Sequence, residues 1–400
     1  MPPRIAVIGG GVSGCALVHG LRDQLKAGRL AVSLFEMGRG VGGRTATRRT
    51  REFKALSIDH GAPAFSARTA PFLQLCESLN LSRLDANQPT GAFVTLTKGG
   101  EIVPERDPPP RFSGGEAGIG TFAEALLRGG APPGEEPLAQ TVFSTQVKAA
   151  EKTAEGTWRL SDRNGNDLGE YDWLVATSTG FAHPRWTATF GGAPPLVAAA
   201  QTMGDGALDA SLAALAPLTS NPVTACLMAF DGARAAAWAA LPFFKASVDG
   251  HPTLARLVVR RLGPNLTAVV VHSTHEFARG EAALGVYGAT SAAARVGGAA
   301  ADATREDALL TQILGDLREA LVAPGHLRAA DLEEPAWGPH LHRWGAAFPG
   351  EPLLAPERAL VPSARVAFSG DFVAGERAGS VEGAVLSGLS TAAQLAAQLQ

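Results

Sequence analysis

The chain is poor in aromatics and cysteine, carries no excess of positive charge, and has no long apolar run. Only two of its 400 residues are tyrosine, Tyr171 and Tyr287, and aromatics make up 6%. Its three cysteines, Cys15, Cys76 and Cys226, stand far apart without metal or redox spacing. That excludes a disulfide framework and leaves small buried fillers in a reducing compartment as the expectation. A formal charge of −3 argues against nucleic acid as a partner, which usually requires a basic face. The longest apolar run, Ala235 to Phe244, is about ten residues against the roughly 20 that a membrane-spanning helix needs. No membrane partner is expected. A strand already under way at Ile5 leaves no room ahead of it for a signal or transit peptide, so a cytoplasmic location is expected.

Histidine is present but unclustered. His340 and His342 could share a strand face, and His272 and His275 are close in sequence, yet no carboxylate or cysteine converges on either pair. No metal is expected. A serine nucleophile elbow is missing too, which removes the usual hydrolase reading.

What is present starts at the amino terminus. Ile5 to Ile8 is a short apolar run, Gly9, Gly11 and Gly14 have the G-x-G-x-x-G spacing, Cys15 to Leu25 has helical periodicity, and Leu30 to Phe35 reads as a second strand ending at Glu36. In such a βαβ unit the first glycine allows the tight turn, the second admits a pyrophosphate, and the third lets helix and strand pack closely. The helix amino terminus, through Val12 and Ser13, faces the phosphates with its partial positive charge. Glu36, about 20 residues beyond Gly14, stands where an acid accepts hydrogen bonds from a ribose. A dinucleotide is therefore expected, and the turn alone does not choose between NAD and FAD.

Further along, proline-rich tracts at Pro104 to Arg111 and Gly129 to Pro137 read as loops flanking a helix over Gly118 to Leu127. Thr141 to Ala149 alternates as one strand, a hairpin turns at Asn164-Gly165, and Trp173 to Ala176 is a buried strand. The middle offers strands at Ala225 to Phe230, Arg256 to Arg260 and Thr267 to His272. A helix follows over Arg305 to Val322, with Thr304 and Asp307 as a near capping box. Arg365 to Ser369 is a last strand before the closing helix.

The loop after the second strand, "GRGVGGRTATRR", holds Arg39, Gly42, Gly43 and Arg44 in an R-x-x-G-G-R pattern. Here the chain resembles the glutathione-reductase-type flavoproteins, in the amine oxidase branch. The resemblance extends to Asp59, His60, Gly61 and Ala62 beside a flavin, and to Val147 at an adenine. It also takes in Thr177 in "WLVATSTG", and Gly370 and Asp371 in "VAFSGDFVAGERAGSVEGAVLSG". It implies FAD, with Met37 beside Glu36, Arg44 neutralising a phosphate, and Ser380, Val381, Gly383 and Ala384 at the flavin edge where charge gathers on reduction. It implies an α/β fold: a Rossmann-type FAD-binding domain of the glutathione-reductase type (1–90, 112–180 and 336–400) with an inserted α+β substrate domain on a mixed sheet (91–111 and 181–335). No cysteine follows Cys226, so the FAD is expected to be non-covalent.

Within that branch, "RFSGGEAGIGTFAEALL", "ARLVVRRLGPNLTAVVVHSTHEFARGE" and "LHRWGAAFPGEPLL" resemble the renalase family. That resemblance implies an oxidase whose flavin N5 takes a hydride from an isomeric dihydronicotinamide nucleotide, with molecular oxygen giving hydrogen peroxide. His272 and Trp344 become the candidate catalytic residues, and Arg256, Arg260, Arg261 and Arg343 the candidate phosphate pocket. "RLGPNL" and Gly345 depart from the family pattern and leave the substrate open. An amine oxidase or desaturase remains the alternative, weakened by the scarcity of tyrosine and by Ser380 where an aromatic ring often sits. A flavin-bearing binding or sensor protein is the third.

Overall fold

Arg4–Ile8 is buried on both sides because it lies inside a parallel sheet. The order of this six-stranded sheet is Gln140–Val142, Ala31–Phe35, Arg4–Ile8, Trp173–Ala176, Val366–Phe368 and Leu360–Val361; only the last pair is antiparallel. The computed structural model describes residues 2–288, 291–299 and 302–399. One face of the sheet is covered by helices Val12–Gly20, Gly120–Leu127 and Val381–Gln398, whose Leu17, Phe122 and Val385 share one core. The other face packs on a three-stranded sheet and on helices Pro195–Met203 and Gly206–Leu215.

The glycine-rich closing helix crosses the nucleotide helix at backbone contact. A methyl group on Gly20 would come within 2.6 Å of the Ala392 Cβ, and one on Gly388 would strike the Ser13 carbonyl. Chain ends far apart in sequence are thereby locked side by side, under the same cavity.

The second sheet has seven strands, ordered Trp337–Pro349, Ser220–Asp231, Leu266–Ser273, Leu254–Arg261, Lys245–Val248, Phe93–Leu96 and Ile102–Pro104. All pairs are antiparallel except Lys245–Val248 with Phe93–Leu96, so the sheet is mixed. Alternation divides its side chains. Leu257, Val259, Val269 and Val271 face helix Ala303–Val322, whereas Val258, Ala268 and Val270 face the nucleotide-binding half. The α/β class with its Rossmann-type sheet agrees with the sequence reading.

Three local readings need correction. The nucleotide helix begins at Val12, because Gly11 already stands at its amino-terminal cap, and breaks at Leu21 before a short helix, Arg22–Lys26. The single strand expected over Thr141 to Ala149 is two strands in different sheets, Gln140–Val142 and Val147–Lys152, separated by Ser144 at φ 53°. The long helix starts at Ala303, capped by the Asp302 carboxylate accepting from the Arg305 amide, so Thr304 and Asp307 make no cap. Trp337–Pro349, in a tract that the sequence groups with the nucleotide-binding part, pairs throughout with Ser220–Asp231 in the second sheet.

Candidate functional site

A cavity of about 990 Å³ runs from the glycine turn, between the two sheets, to the far strands of the seven-stranded sheet. That is room for a dinucleotide. At one end lie Gly9, Gly11, Val12, Ser13, Glu36, Met37, Gly42 and Gly43. The three glycines divide their work as the motif requires. A side chain on Gly9 would meet the Thr177 hydroxyl at 2.6 Å and one on Gly14 would strike the Gly9 carbonyl, whereas a Cβ on Gly11 meets nothing within 4 Å. The open space over Gly11, at the start of a helix, is the cradle into which a pyrophosphate fits. Gly14 itself is buried in packing and does not line the cavity.

Glu36 is the acid of this end. Its carboxylate accepts the Gly10 amide at 2.7 Å and also the Gly38 amide, and burial pushes its pKa up against those two donors. Thr177 donates to the carbonyls of Ile8 and Gly9, tying the Trp173–Ala176 strand to the turn.

The middle of the cavity brings the two ends of the chain together. Arg44 forms a forked pair with Asp371, at 2.6 and 2.8 Å, and also donates to the Ala347 carbonyl at 2.9 Å. Its fork is engaged by a carboxylate, which corrects the expectation that Arg44 neutralises a phosphate on its own. Gly61, Ala62, Gly370, Ser380, Val381 and Ala384 line this region too. Ser380 caps helix Val381–Gln398, its hydroxyl accepting the Gly383 amide at 3.0 Å. Gly383 is absent from the lining. A side chain there would collide with the Arg377 carbonyl, so its glycine serves a chain crossing.

Several expected residues lie elsewhere. Asp59 is buried beneath the floor, 3.1 Å from Arg260, and accepts from the Thr47 hydroxyl and the Ile119 amide. Arg260 donates besides to the carbonyls of Ser57, Gly115 and Glu116. This pair bolts the second sheet to the nucleotide-binding half and does not line the cavity. Arg261 has the opposite strand parity and donates to the carbonyls of Ala239, Leu241 and Phe243 on the helix side. Arg343 reaches the lining, but its guanidinium donates to the Ala278 carbonyl. Val147 is buried in the three-stranded sheet, and Arg39 is exposed; neither lines the cavity. Of the four proposed arginines, only Arg256 faces the cavity with its guanidinium unengaged by any carbonyl or carboxylate among the described residues.

The floor of the cavity is one row of the second sheet. Register aligns His342, Ala225, His272, Arg256, Ser247 and Thr95 across six strands. Trp344 and Val223 lie two residues along on the same face, and Val258, Lys245 and Phe93 two residues along the other way. The His60 carbonyl anchors this floor: it accepts from Trp344 Nε1 at 3.1 Å and bonds His272 Nε2 at 3.1 Å. A carbonyl can only accept, so Nε2 carries the proton and Nδ1 of His272 is left a bare acceptor, without a partner among the described residues. The rings of His60, His342 and Trp344 pack together at 4.4 to 5.1 Å. Burial, with Arg256 nearby, pushes His272 down to about 3; burial with Arg48 nearby takes His60 down to about 4. The cluster is a neutral wall at ordinary pH. His60, expected at the cofactor, lies behind that wall as its support.

Sequence reasoning missed His342, Lys245, Arg111 and Arg185, all of which line the cavity. His342 was legible, since it is two residues from Trp344 on a strand and shares its face.

Among the described residues no three His, Cys, Asp or Glu side chains form a metal set, and no helix is long and apolar enough to cross a membrane.

Residues 7–79 match the NAD(P)-binding Rossmann-like domain, and residues 214–396 match the family described as flavin containing amine oxidoreductase. No curated protein matches the chain. Among solved structures, an Exiguobacterium sp. 255-15 protein assigned as a protoporphyrinogen oxidase superposes with a TM-score of 0.61 at 14% identity, covering 99% of each chain. A putrescine oxidase bound to putrescine gives 0.59 at 13% identity over 99% of each chain. Cyclohexylamine oxidase from Brevibacterium oxydans IH-35A gives 0.58 at 14% identity over 100% of each. At such identities these likenesses speak for the fold.

Proposed function

We propose that this flavin-dependent oxidoreductase of the amine oxidase superfamily binds FAD without a covalent link and acts as a renalase-like oxidase on an isomeric dihydronicotinamide nucleotide. FAD held in this cavity would supply a hydride acceptor and a route for the electrons to oxygen, so that dihydronicotinamide substrate, oxygen and one proton would give the aromatised ring and hydrogen peroxide.

The chain's own residues hold and orient. The Gly11 cradle and the helix starting at Val12 receive the pyrophosphate, Glu36 the adenosine ribose, and the helix starting at Val381 the flavin edge. Trp344 and the neutral imidazoles of His272 and His342 make an uncharged ring-lined wall for a substrate ring. Their low proton affinity suits a reaction in which aromatisation drives transfer and no substrate nitrogen needs deprotonation.

One observation carries this reading over an amine oxidase. The carboxylates that line the cavity are all engaged: Glu36 by the Gly10 and Gly38 amides, Glu105 by Arg111, Asp371 by Arg44, and Glu382 by the Arg68 and Thr69 amides. A protonated amine finds no free acid, while Arg256 and Lys245 repel it. The match of residues 214–396 to the amine oxidoreductase family keeps the amine oxidase as the second reading.

Anaerobic mixing of the flavin-loaded protein with 2- and 6-dihydronicotinamide nucleotides and with simple amines tests it. Bleaching of the flavin by a dihydronicotinamide isomer and not by amines is the expected result. Bleaching by an amine alone would overturn the reading in favour of the second.

A further inference from the structure

Lys245, Arg256 and Arg111 line the end of the cavity away from the glycine turn, the first and last of them against the ring of Phe93. The Lys245 Nζ lies 4.7 Å and the Arg111 guanidinium 3.7 Å from that ring centre, and Arg256 stacks 5.0 Å from Phe348. Register explains the grouping. Lys245 pairs with Phe93 on one side and Val258 on the other, and Arg256 pairs with Ser247, so the two cations share one face on adjacent strands. Such strands are about 4.8 Å apart.

These three cations have a single carboxylate among them, Glu105, which pairs with Arg111. Arg111 is 7% exposed, and its Nε and Nη1 have no hydrogen-bond partner among the described residues. Lys245 and Arg256 have no carboxylate or carbonyl partner among the described residues; rings are what they touch. Buried donors left unmade are costly, and aromatic packing does not replace the missing acceptors. The Ser247 and Thr95 hydroxyls complete the rim at the exposed edge of the row.

We propose that Arg256, Lys245 and Arg111 form an oxyanion subsite, which takes a carboxylate or phosphate carried by the substrate while its ring rests against Trp344 and His272. The inference rests on the functional reading above and adds where the negative charge is held. Arg256 lies one strand from His272 and Ser247 two, which puts the anion roughly 5–10 Å from the His272 end of the wall, with Trp344 two strands further on. The groups facing Lys245 are Arg256 from the neighbouring strand, Arg111 from across the cavity, and Glu105 beyond the Ile102–Pro104 strand. Burial first, then Arg256 and Arg111, bring its ammonium down to about 8, against the opposing pull of Glu105. Below that pH the subsite carries its full charge, and above it one cation is lost. A bound anion restores the proton, so affinity falls as pH rises through 8.

Calorimetric titration of the flavin-loaded protein with 2-naphthoate, 2-naphthamide and 2-naphthamidine, none of which has a C–H hydride beside its polar group, tests the subsite without any redox step. At pH 7 the carboxylate should bind at least tenfold more tightly than the amide or the amidinium, and its affinity should fall about tenfold by pH 9. Lys245→Met and Arg256→Met should each weaken naphthoate binding at least tenfold at pH 7. Lys245→Arg, which keeps charge and bulk, should retain binding and abolish the step between pH 7 and 9, so a poorly folding methionine variant leaves the test intact. Equal affinity for naphthoate and the amide, or an unchanged pH step in Lys245→Arg, overturns the proposal. The probes hold no transferable hydride, so their failure is distinct from a failure of dihydronicotinamide isomers to bleach the flavin.

Discussion

Arg44 and Asp371, near opposite ends of the chain, are joined by two hydrogen bonds in the middle of the cavity. The Asp371 side chain is 7% exposed, so it needs this partner, and the Arg44 guanidinium, 38% exposed, faces the space beside it. Removing the cation leaves an unpaired carboxylate in a site meant for an anionic dinucleotide. Arg44→Met should therefore lower flavin retention more than tenfold, and Arg44→Met with Asp371→Asn should recover part of the loss. Flavin-to-protein ratios across the four-member cycle check this; a double variant no better than Arg44→Met alone removes the pair from the account.

The acid at the other end acts on affinity alone. Glu36→Ala removes an ionised acceptor from the Gly10 and Gly38 amides and from the ribose, worth about 1.5–3 kcal/mol. Titration of apoprotein should show FAD bound about tenfold to a hundredfold more weakly. Turnover of the loaded fraction should hold, because Glu36 lies at the far end of the cavity from the Trp344 wall.

Covalent attachment through sulfur has no candidate here. Cys15, Cys76 and Cys226 are buried outside the lining, and burial drives the Cys76 and Cys226 thiols up to about 12. Acid precipitation should release all yellow colour into the supernatant; colour in the pellet refutes a non-covalent cofactor.

The nucleotide end was legible because its signal is local: strand, glycine triplet, helix and acid sit within one βαβ unit, and no other part of the chain is needed to interpret them. The floor is non-local, and its misreadings follow from that. Arg256, Arg260 and Arg261 look alike in sequence. Strand parity separates Arg261 from the other two. What then separates Arg260 from Arg256 is the approach of Asp59 from another element, which periodicity cannot show. Lys245 went unnoticed because its four-residue strand follows a proline and an apolar run, and because its partner strand, Phe93–Leu96, is distant in sequence. Gly383 was read as approaching the flavin, when its neighbour is the Arg377 carbonyl.

The Asp59–Arg260 pair makes a structural prediction separate from the cofactor. Both side chains are at most 9% exposed, and removing one partner strands a buried charge. Arg260→Met should cost about 3–5 kcal/mol in urea unfolding, with the spectrum of bound flavin unchanged in the folded fraction. Adding Asp59→Asn should return part of that stability. A single variant within about 0.5 kcal/mol of the parent would show that the bolt carries no strain-bearing role.

The imidazole wall predicts how the protein responds to acid. His60 and His272 bind protons only near pH 4 and 3 in the folded chain, and His342 well below its ordinary value, because burial disfavours the charged ring. In the unfolded chain each titrates near 6.5. Between those limits the unfolded state binds more protons than the folded one, so stability rises with pH across the window and is lost as pH falls. Each such histidine contributes a slope of about 1.4 kcal/mol per pH unit within its window. Denaturation at pH 7.5, 6 and 5 should therefore show a steep fall, and His272→Asn, which keeps a donor to the His60 carbonyl without a titrating ring, should flatten it by about one third of the three-histidine slope. The same substitution should leave the Trp344–His60 hydrogen bond in place. An unaltered slope in His272→Asn would mean that this ring is charged in the folded protein, and the neutral wall on which the substrate reading stands would be wrong.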